Sequence, residues 1–325
     1  MVGMLSVSDA ILLVYLLVTT LLVALSSGPD RPVCTRMLLA TIAAVVLGAF
    51  VGRVGPIASP GLRAVVYRLT VVGAVVASYL MLRPLLPLVR PDSLDEALHR
   101  ADLWLFGVEP AVWLARFDVP AVVEWFSFYY FSYFPLAATY VAVVVWAARS
   151  GRATAEFAIG TALVLCVGQL GYLGVPGFGP VRHLADRFAG PLVGGFFWRC
   201  VSETVAAGGA MKDIFPSLHT ALPVWFTLYA SRRAGHDPRW RWPARITGWF
   251  AANIIVSTMF LRWHYGVDVL AGLGLAVVAA RLSIALARRE AIWRRSLGLP
   301  QAWSTASTHT RPAFVGGAEA RPSLS

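Results

Sequence analysis

The chain has 325 residues, 58% of them hydrophobic and 14% charged, with a formal net charge of +11 and a mean hydropathy of +0.66. A globule of that length has too few polar residues to cover its own surface. A typical water-soluble enzyme, a disordered chain, a coiled coil and a disulfide scaffold are therefore excluded, and an all-α polytopic membrane bundle is expected.

In chain order, apolar runs near the roughly 20 residues that a bilayer requires lie at 8–27, 37–54, 64–89, 119–148, 153–175, 217–232, 246–262 and 265–287. The first run has neither the basic leader nor the A-x-A site of a signal peptide, so about eight transmembrane helices are expected. Residues 1–63 would form two N-terminal spans, 64–290 a core with six helices, and 291–325 a disordered cytoplasmic tail. The stretch 90–117 mixes charges with Leu, Trp and Phe at helical spacing and reads as an interfacial amphipathic helix. Trp104, Trp113 and Trp125 suit an aromatic belt there.

Lys212 is the single lysine, so nearly all the basic charge is arginine. The arginines lie between apolar runs and form no basic stripe, which argues against a nucleic-acid partner. They gather near span ends: Arg53 and Arg63; Arg149 and Arg152; Arg232, Arg233, Arg239, Arg241 and Arg245; Arg288, Arg289, Arg294 and Arg295. The positive-inside rule then puts both termini in the cytoplasm of a multi-pass plasma-membrane protein. The segments 90–118 and 176–216 and the junction near residue 264 fall on the extracytoplasmic side. Cys34, Cys166 and Cys200 are spread apart and form neither a metal motif nor a disulfide framework.

Three polar clusters stand at the outer ends of these spans: VPGFGPVR (175–182), KDIFPSLHTALP (212–223) and FLRWHYGVDVLAG (260–272). In the third, His264 and Asp268 are four apart and share a helical face. A carboxylate there fixes the imidazole tautomer and favours the cation that forms later. Ionisable groups at a span are costly and tend to be functional, although such a pair also serves simply to bridge two helices. In the second, Pro216 suits a first helical turn whose N–H groups and Ser217 hydroxyl offer an anion site. His219 stands nearby as a proton donor; the plainer alternative is a capping serine and a solvated histidine. In the first, Arg182 has the planar fork suited to phosphate, as does Arg262, and Lys212 adds a third cation. Snorkelling to a lipid headgroup is the alternative for Arg182. No phosphate-cradling P-loop, zinc-protease motif or nucleophile elbow occurs. The inventory fits metal-free phosphoryl transfer through a phosphohistidine, with no cofactor and no metal.

The order PSLH followed by RWHYGVDVLAG resembles the type 2 phosphatidic acid phosphatase superfamily. LRPLLPLV (82–89) and LHRADLWLFGVEPAVWL (98–114) are similar to the bacterial members of its inositolphosphotransferase branch, the group of inositol phosphorylceramide synthases. The resemblance covers about residues 80–285. It implies that His264 takes the phosphoryl group, Asp268 is its partner, His219 protonates the leaving group and Ser217 binds phosphate. Arg182 falls where that family carries a phosphate-binding arginine. The chain departs from the superfamily pattern at Leu218, at Ser257-Thr258 where a Ser-Arg pair is expected, and in its first motif. These departures match the inositolphosphotransferase branch, with a lipid phosphate or phospholipid as substrate. A transporter using His219, His264 and Asp268 as a proton path is the alternative, but the related halves typical of transporters are not visible. A scaffold whose polar residues only bridge helices is a third.

Overall fold

The computed structural model describes residues 5–55, 57, 59–147 and 151–303, and every regular element among them is helical. In chain order these are α1 (Val7–Leu25), α2 (Arg31–Arg53), α3 (Pro60–Leu80), α4 (Leu82–Val89), α5 (Asp95–Phe106), α6 (Pro110–Leu114), α7 (Pro120–Tyr140), α8 (Gly151–Gly174), α9 (Pro180–His183), α10 (Phe196–Gly208), α11 (Leu218–Ala234), α12 (Arg241–Phe260) and α13 (Gly266–Ser296). A π-helical segment, Val141–Ala147, prolongs α7. Among the described residues, six helical stretches are long and apolar enough to cross a membrane: α1, α2, α3, Pro120–Trp146, α8 and α13. The other two expected spans are α11, at 17 residues, and α12, which opens with Arg241 and Arg245. These two pack along each other, α11 among α7, α8 and α13 and α12 against α7 at the edge of the bundle.

The core is aromatic where α7, α8 and α11 meet. Tyr140 stacks on Phe226 with ring centroids 4.5 Å apart, and Phe157 lies against both rings. The run 64–89 is not one helix. It divides at Met81 into α3 and α4, because Pro84 and Pro87 supply no N–H to carry α3 onward.

One end of the bundle is bound by buried charge. Arg53 lies 3.0 Å from the fully buried Asp9, which also accepts a 2.7 Å hydrogen bond from the Tyr67 hydroxyl. Arg294 pairs with Glu290 at 3.1 Å and donates to the Leu5 carbonyl at 2.9 Å. Burial at this depth requires such pairing. The network ties the start of α1, the end of α2, the start of α3 and the end of α13 together. α13 continues to Ser296, and Trp303 is buried against the Tyr67 ring with its indole N–H donating to Ser8. The rest of the tail expected to be disordered, residues 304–325, lies outside the described residues.

The stretch 90–117 is two helices rather than one. Gly107 at φ 71° closes α5 and turns the chain into α6, a conformation that glycine adopts without cost. Trp104 is 83% exposed, as a belt residue would be. The opposite face of α5 buries Asp95, Leu98 and Asp102. The helices from α5 to α13, with the loops between them, carry all three polar clusters.

Candidate active site

The three polar clusters meet at one end of the bundle, opposite the network around Asp9. They are joined pairwise through their backbones. Gly177 donates to the Lys212 carbonyl at 3.2 Å, Val181 to the Arg262 carbonyl at 2.8 Å, and Ser217 to the Asp268 carbonyl at 3.0 Å. Two glycines permit this closeness. Gly179, at φ 81°, would place a Cβ 2.3 Å from the Trp263 carbonyl oxygen, and Gly272 would place one 2.5 Å from that of Ser217. No side chain fits at either distance.

Within this frame the rings of His219 and His264 stand 6.2 Å apart, centroid to centroid. His264 Nδ1 lies 3.4 Å from Asp268 Oδ2, long for a hydrogen bond, as catalytic contacts often are before substrate closes the site. Asp268 is fully buried, and its Oδ2 accepts 2.9 Å from the Tyr265 N–H, closing a capping box at the start of α13. His219 is held between the Tyr130 and Tyr133 rings, each with its centroid 4.3 Å away. Both imidazoles line a cavity of about 70 Å³ with Asp213, Tyr79, Tyr130, Phe178 and Trp263. Burial pulls the His264 imidazole down to about 4, against the opposing pull of the Asp213 carboxylate and the Ile214 carbonyl. At neutral pH it is therefore uncharged, with a lone pair available. Burial also lifts the Asp213 carboxyl above its ordinary range, against the Tyr79 hydroxyl 3.1 Å away.

The structure thus brings His219, His264 and Asp268 together and distributes the other four expected residues differently. Arg182 is exposed and stacks 4.3 Å over Phe178, a wall of the cavity. Ser217 is fully buried and caps α11, its Oγ accepting from the Thr220 N–H at 3.3 Å. Lys212 and Arg262 lie outside the cavity lining. The Lys212 ammonium donates to the carbonyls of Pro91 and Asp92. Arg262 donates to Asp118 at 2.6 Å and to the Gly190 carbonyl at 2.8 Å. A buried cation takes whatever oxygen acceptors the fold offers, and here those acceptors come from segments remote in sequence.

Residues outside the three polar clusters complete the site. Asp95 and Asp102 are seven apart on α5 and share a face. Asp95 accepts from the N–H groups of Phe178 and Gly179, each at 2.8 Å, and from the Tyr265 hydroxyl at 3.1 Å. Asp102 accepts from Gly266 at 2.6 Å and Val267 at 2.7 Å, so α5 pins both the first and the third cluster. Beside it, burial and then the Asp102 charge push the Glu109 carboxyl up to about 8, which lets it donate to Asp102. Arg83 leans over Gly209, a rim residue of the cavity; its guanidinium carbon is 3.2 Å from where a Gly209 Cβ would sit. The signals in the sequence for this set are the seven-residue spacing of Asp95 and Asp102 and the segments 82–89 and 98–114, which hold Arg83, Asp102 and Glu109.

Asp102→Ala would leave unpaired the buried N–H of Gly266, at a cost of about 1–3 kcal/mol, and the partly buried N–H of Val267, and would free the loop that carries His264. We expect a lower thermal midpoint and about a 10²-fold fall in kcat from misplacement of that loop, with Asp102→Asn intermediate. Equal kcat in wild type and Asp102→Ala, measured on purified protein, would show that the clamp does not set the site.

Residues 96–282 match the family model described as PAP2 superfamily. The match starts in α5, takes in all three clusters and leaves out α1 to α4. No curated protein and no solved structure matches the chain.

Proposed function

The chain belongs to the PAP2 superfamily, and on that premise we propose that it is a multi-pass membrane enzyme that transfers or releases the phosphoryl headgroup of a lipid through a phosphohistidine at His264. The observation that carries the reading is the convergence of His219 and His264 on one cavity, with Asp268 3.4 Å from His264 Nδ1 outside its lining.

In the first step Nε2 of His264 attacks phosphorus while Nδ1–H donates to Asp268. The P–O bond to the leaving alcohol breaks, and His219 passes its proton to that oxygen. In the second step a hydroxyl enters and gives its proton to His219. The new P–O bond forms as the P–N bond breaks. Charge on the transferring group is met from the rim by Arg182 and Arg83, for which the described residues contain no ion-pair partner.

We read the acceptor as an alcohol, which makes the enzyme a transferase of the inositolphosphotransferase type. Ser257 and Thr258, which replace the Ser-Arg pair of the simple phosphatases, donate their hydroxyls to carbonyls of their own helix at 2.7 and 2.8 Å. They offer phosphate nothing, so this chain binds its substrate differently from those enzymes. α8, α11, α12 and α13 each run between the histidine end and the end rich in arginine. By the positive-inside rule the site then opens on the extracytoplasmic face of the plasma membrane.

Purified protein in EDTA should release phosphate from phosphatidic acid or move a phospholipid headgroup to an added alcohol. No product in either assay, across lipids of differing headgroup, would remove the proposal. The pH profile gives a finer check. A nucleophile pulled down to about 4 is lost only as pH falls through that value. With a phosphodiester substrate, whose charge is constant in this range, kcat/KM should therefore show no acid limb above about pH 5. An acid limb near the ordinary imidazole value of about 6.5 would contradict a neutral buried His264.

A further inference from the structure

A second cavity of about 560 Å³ adjoins the one that holds the histidines, and the two share Val205, Met211 and Trp263 as common walls. Its volume lies within the roughly 300–1,000 Å³ typical of ligand sites. α10 contributes Trp198, Ser202 and Ala206, and the segment after α9 contributes Phe188 and Leu192. Its one charged wall residue, Arg262, is already neutralised by Asp118 and the Gly190 carbonyl and lies 3.9 Å over the Phe188 ring. The cavity therefore offers apolar surface and no unpaired charge. Its helical wall is fixed: Glu124 of α7 accepts from the N–H groups of Gly195, Phe197 and Trp198 at 2.8, 2.7 and 3.2 Å, which anchors the start of α10. Beside Leu192, Val193 and Phe196 are 64% and 62% exposed, as residues that face hydrocarbon would be.

An anion cannot be what this cavity takes, and a polyol would leave its hydroxyls unpaired there. What fits is the apolar part of the molecule whose phosphate is next door. We propose that the cavity under α10 seats the hydrocarbon chain of the phosphate ester that reacts at His264. The inference rests on the reading of the histidine cavity as a phosphoryl-transfer site. It adds that the substrate is selected by a chain drawn into the protein rather than left in the bilayer. The shared walls make this geometrically direct, since phosphate at one side of Trp263 puts the attached chain at the other.

The test uses the full chain in nanodiscs and a series of butyl, hexyl and octyl phosphate. Binding is measured by calorimetry on the His264→Ala variant, which cannot turn these esters over, and kcat/KM is measured on the wild type. Affinity should rise about fourfold for each added methylene that the cavity buries. Ala206→Phe and Ser202→Phe fill the cavity one helical turn apart without touching the histidine cavity. In either one the rise with chain length should flatten, octyl phosphate should lose at least about tenfold, and butyl phosphate should bind as before. The proposal is overturned if the chain-length gain is as steep in both filled variants as without them, since the chain then lies in surrounding lipid, or if affinity does not rise with length at all. The two readings fail separately. Chain-dependent binding with no turnover of any ester would remove the phosphoryl-transfer reading and leave the cavity assignment standing, whereas turnover without cavity-dependent discrimination would do the reverse.

Discussion

His264→Ala is expected to remove at least about 10⁴-fold of the turnover, the scale on which loss of a covalent nucleophile is felt when the rest of the site survives. Among the described residues no other imidazole is placed to replace it, since His219 is held against two tyrosine rings across the cavity. The substitution should spare the fold, because the backbone N–H of residue 264 keeps its bond to the Thr258 carbonyl and the ring's contact with the Ile214 carbonyl is what is lost. Asp268 needs a gentler change. Its Oδ2 also accepts from Tyr265 at the start of α13, so Asp268→Ala combines loss of a helix cap with loss of the histidine's partner. Asp268→Asn keeps an acceptor for Tyr265 and removes the charge. We expect it to be well folded and slow. Initial rates set beside thermal midpoints separate the two effects. A His264→Ala protein that retains wild-type rates would end the mechanism.

The second large loss belongs to His219. On the proposed role of His219 as proton donor to the departing oxygen, its removal should cost about 10²–10⁴-fold for an ester with a poor alkoxide leaving group. For p-nitrophenyl phosphate, whose leaving group departs without a proton, the loss should be small. The expected result is thus a ratio between two substrates rather than a single rate. If His219→Ala slows both substrates equally, the histidine positions substrate and does not act as the acid. Tyr130 and Tyr133 sandwich the ring and fix where it can deliver a proton, so removing either of them should disturb the same ratio to a lesser degree.

The bundle is legible in the sequence because spans are written in hydropathy. The run 119–148 corresponds to Pro120–Trp146 and the run 153–175 to Gly151–Gly174. α13 extends beyond its apolar run 265–287 to Ser296, because the Glu290–Arg294 pair and good helix formers continue the helix after hydrophobicity ends. His219, His264 and Asp268 are legible because each is an ionisable residue at a span end. The residues that hold them are not. Asp95 and Asp102 sit on an amphipathic helix, where carboxylates ordinarily face water. Only the fold shows that their face turns inward to the N–H groups of the first and third clusters. Lys212 and Arg262 suit phosphate by residue type, yet they are held by acceptors at Pro91, Asp92, Asp118 and Gly190 that no local pattern announces. Arg83 lies in the family-like segment LRPLLPLV, but its place beside the cavity is not legible there, because an arginine after an apolar run reads as an ordinary span end.

If a phosphoryl group rests on His264 during turnover, it can be trapped there. A phosphohistidine survives base and is lost in acid, so the experiment is brief incubation with a lipid labelled in its phosphate, an alkaline quench and peptide mapping. We expect an acid-labile label on the peptide that spans Trp263–Tyr265, absent from His264→Ala and discharged when acceptor alcohol is added. Turnover without any such label, or a label that persists in His264→Ala, would contradict the mechanism.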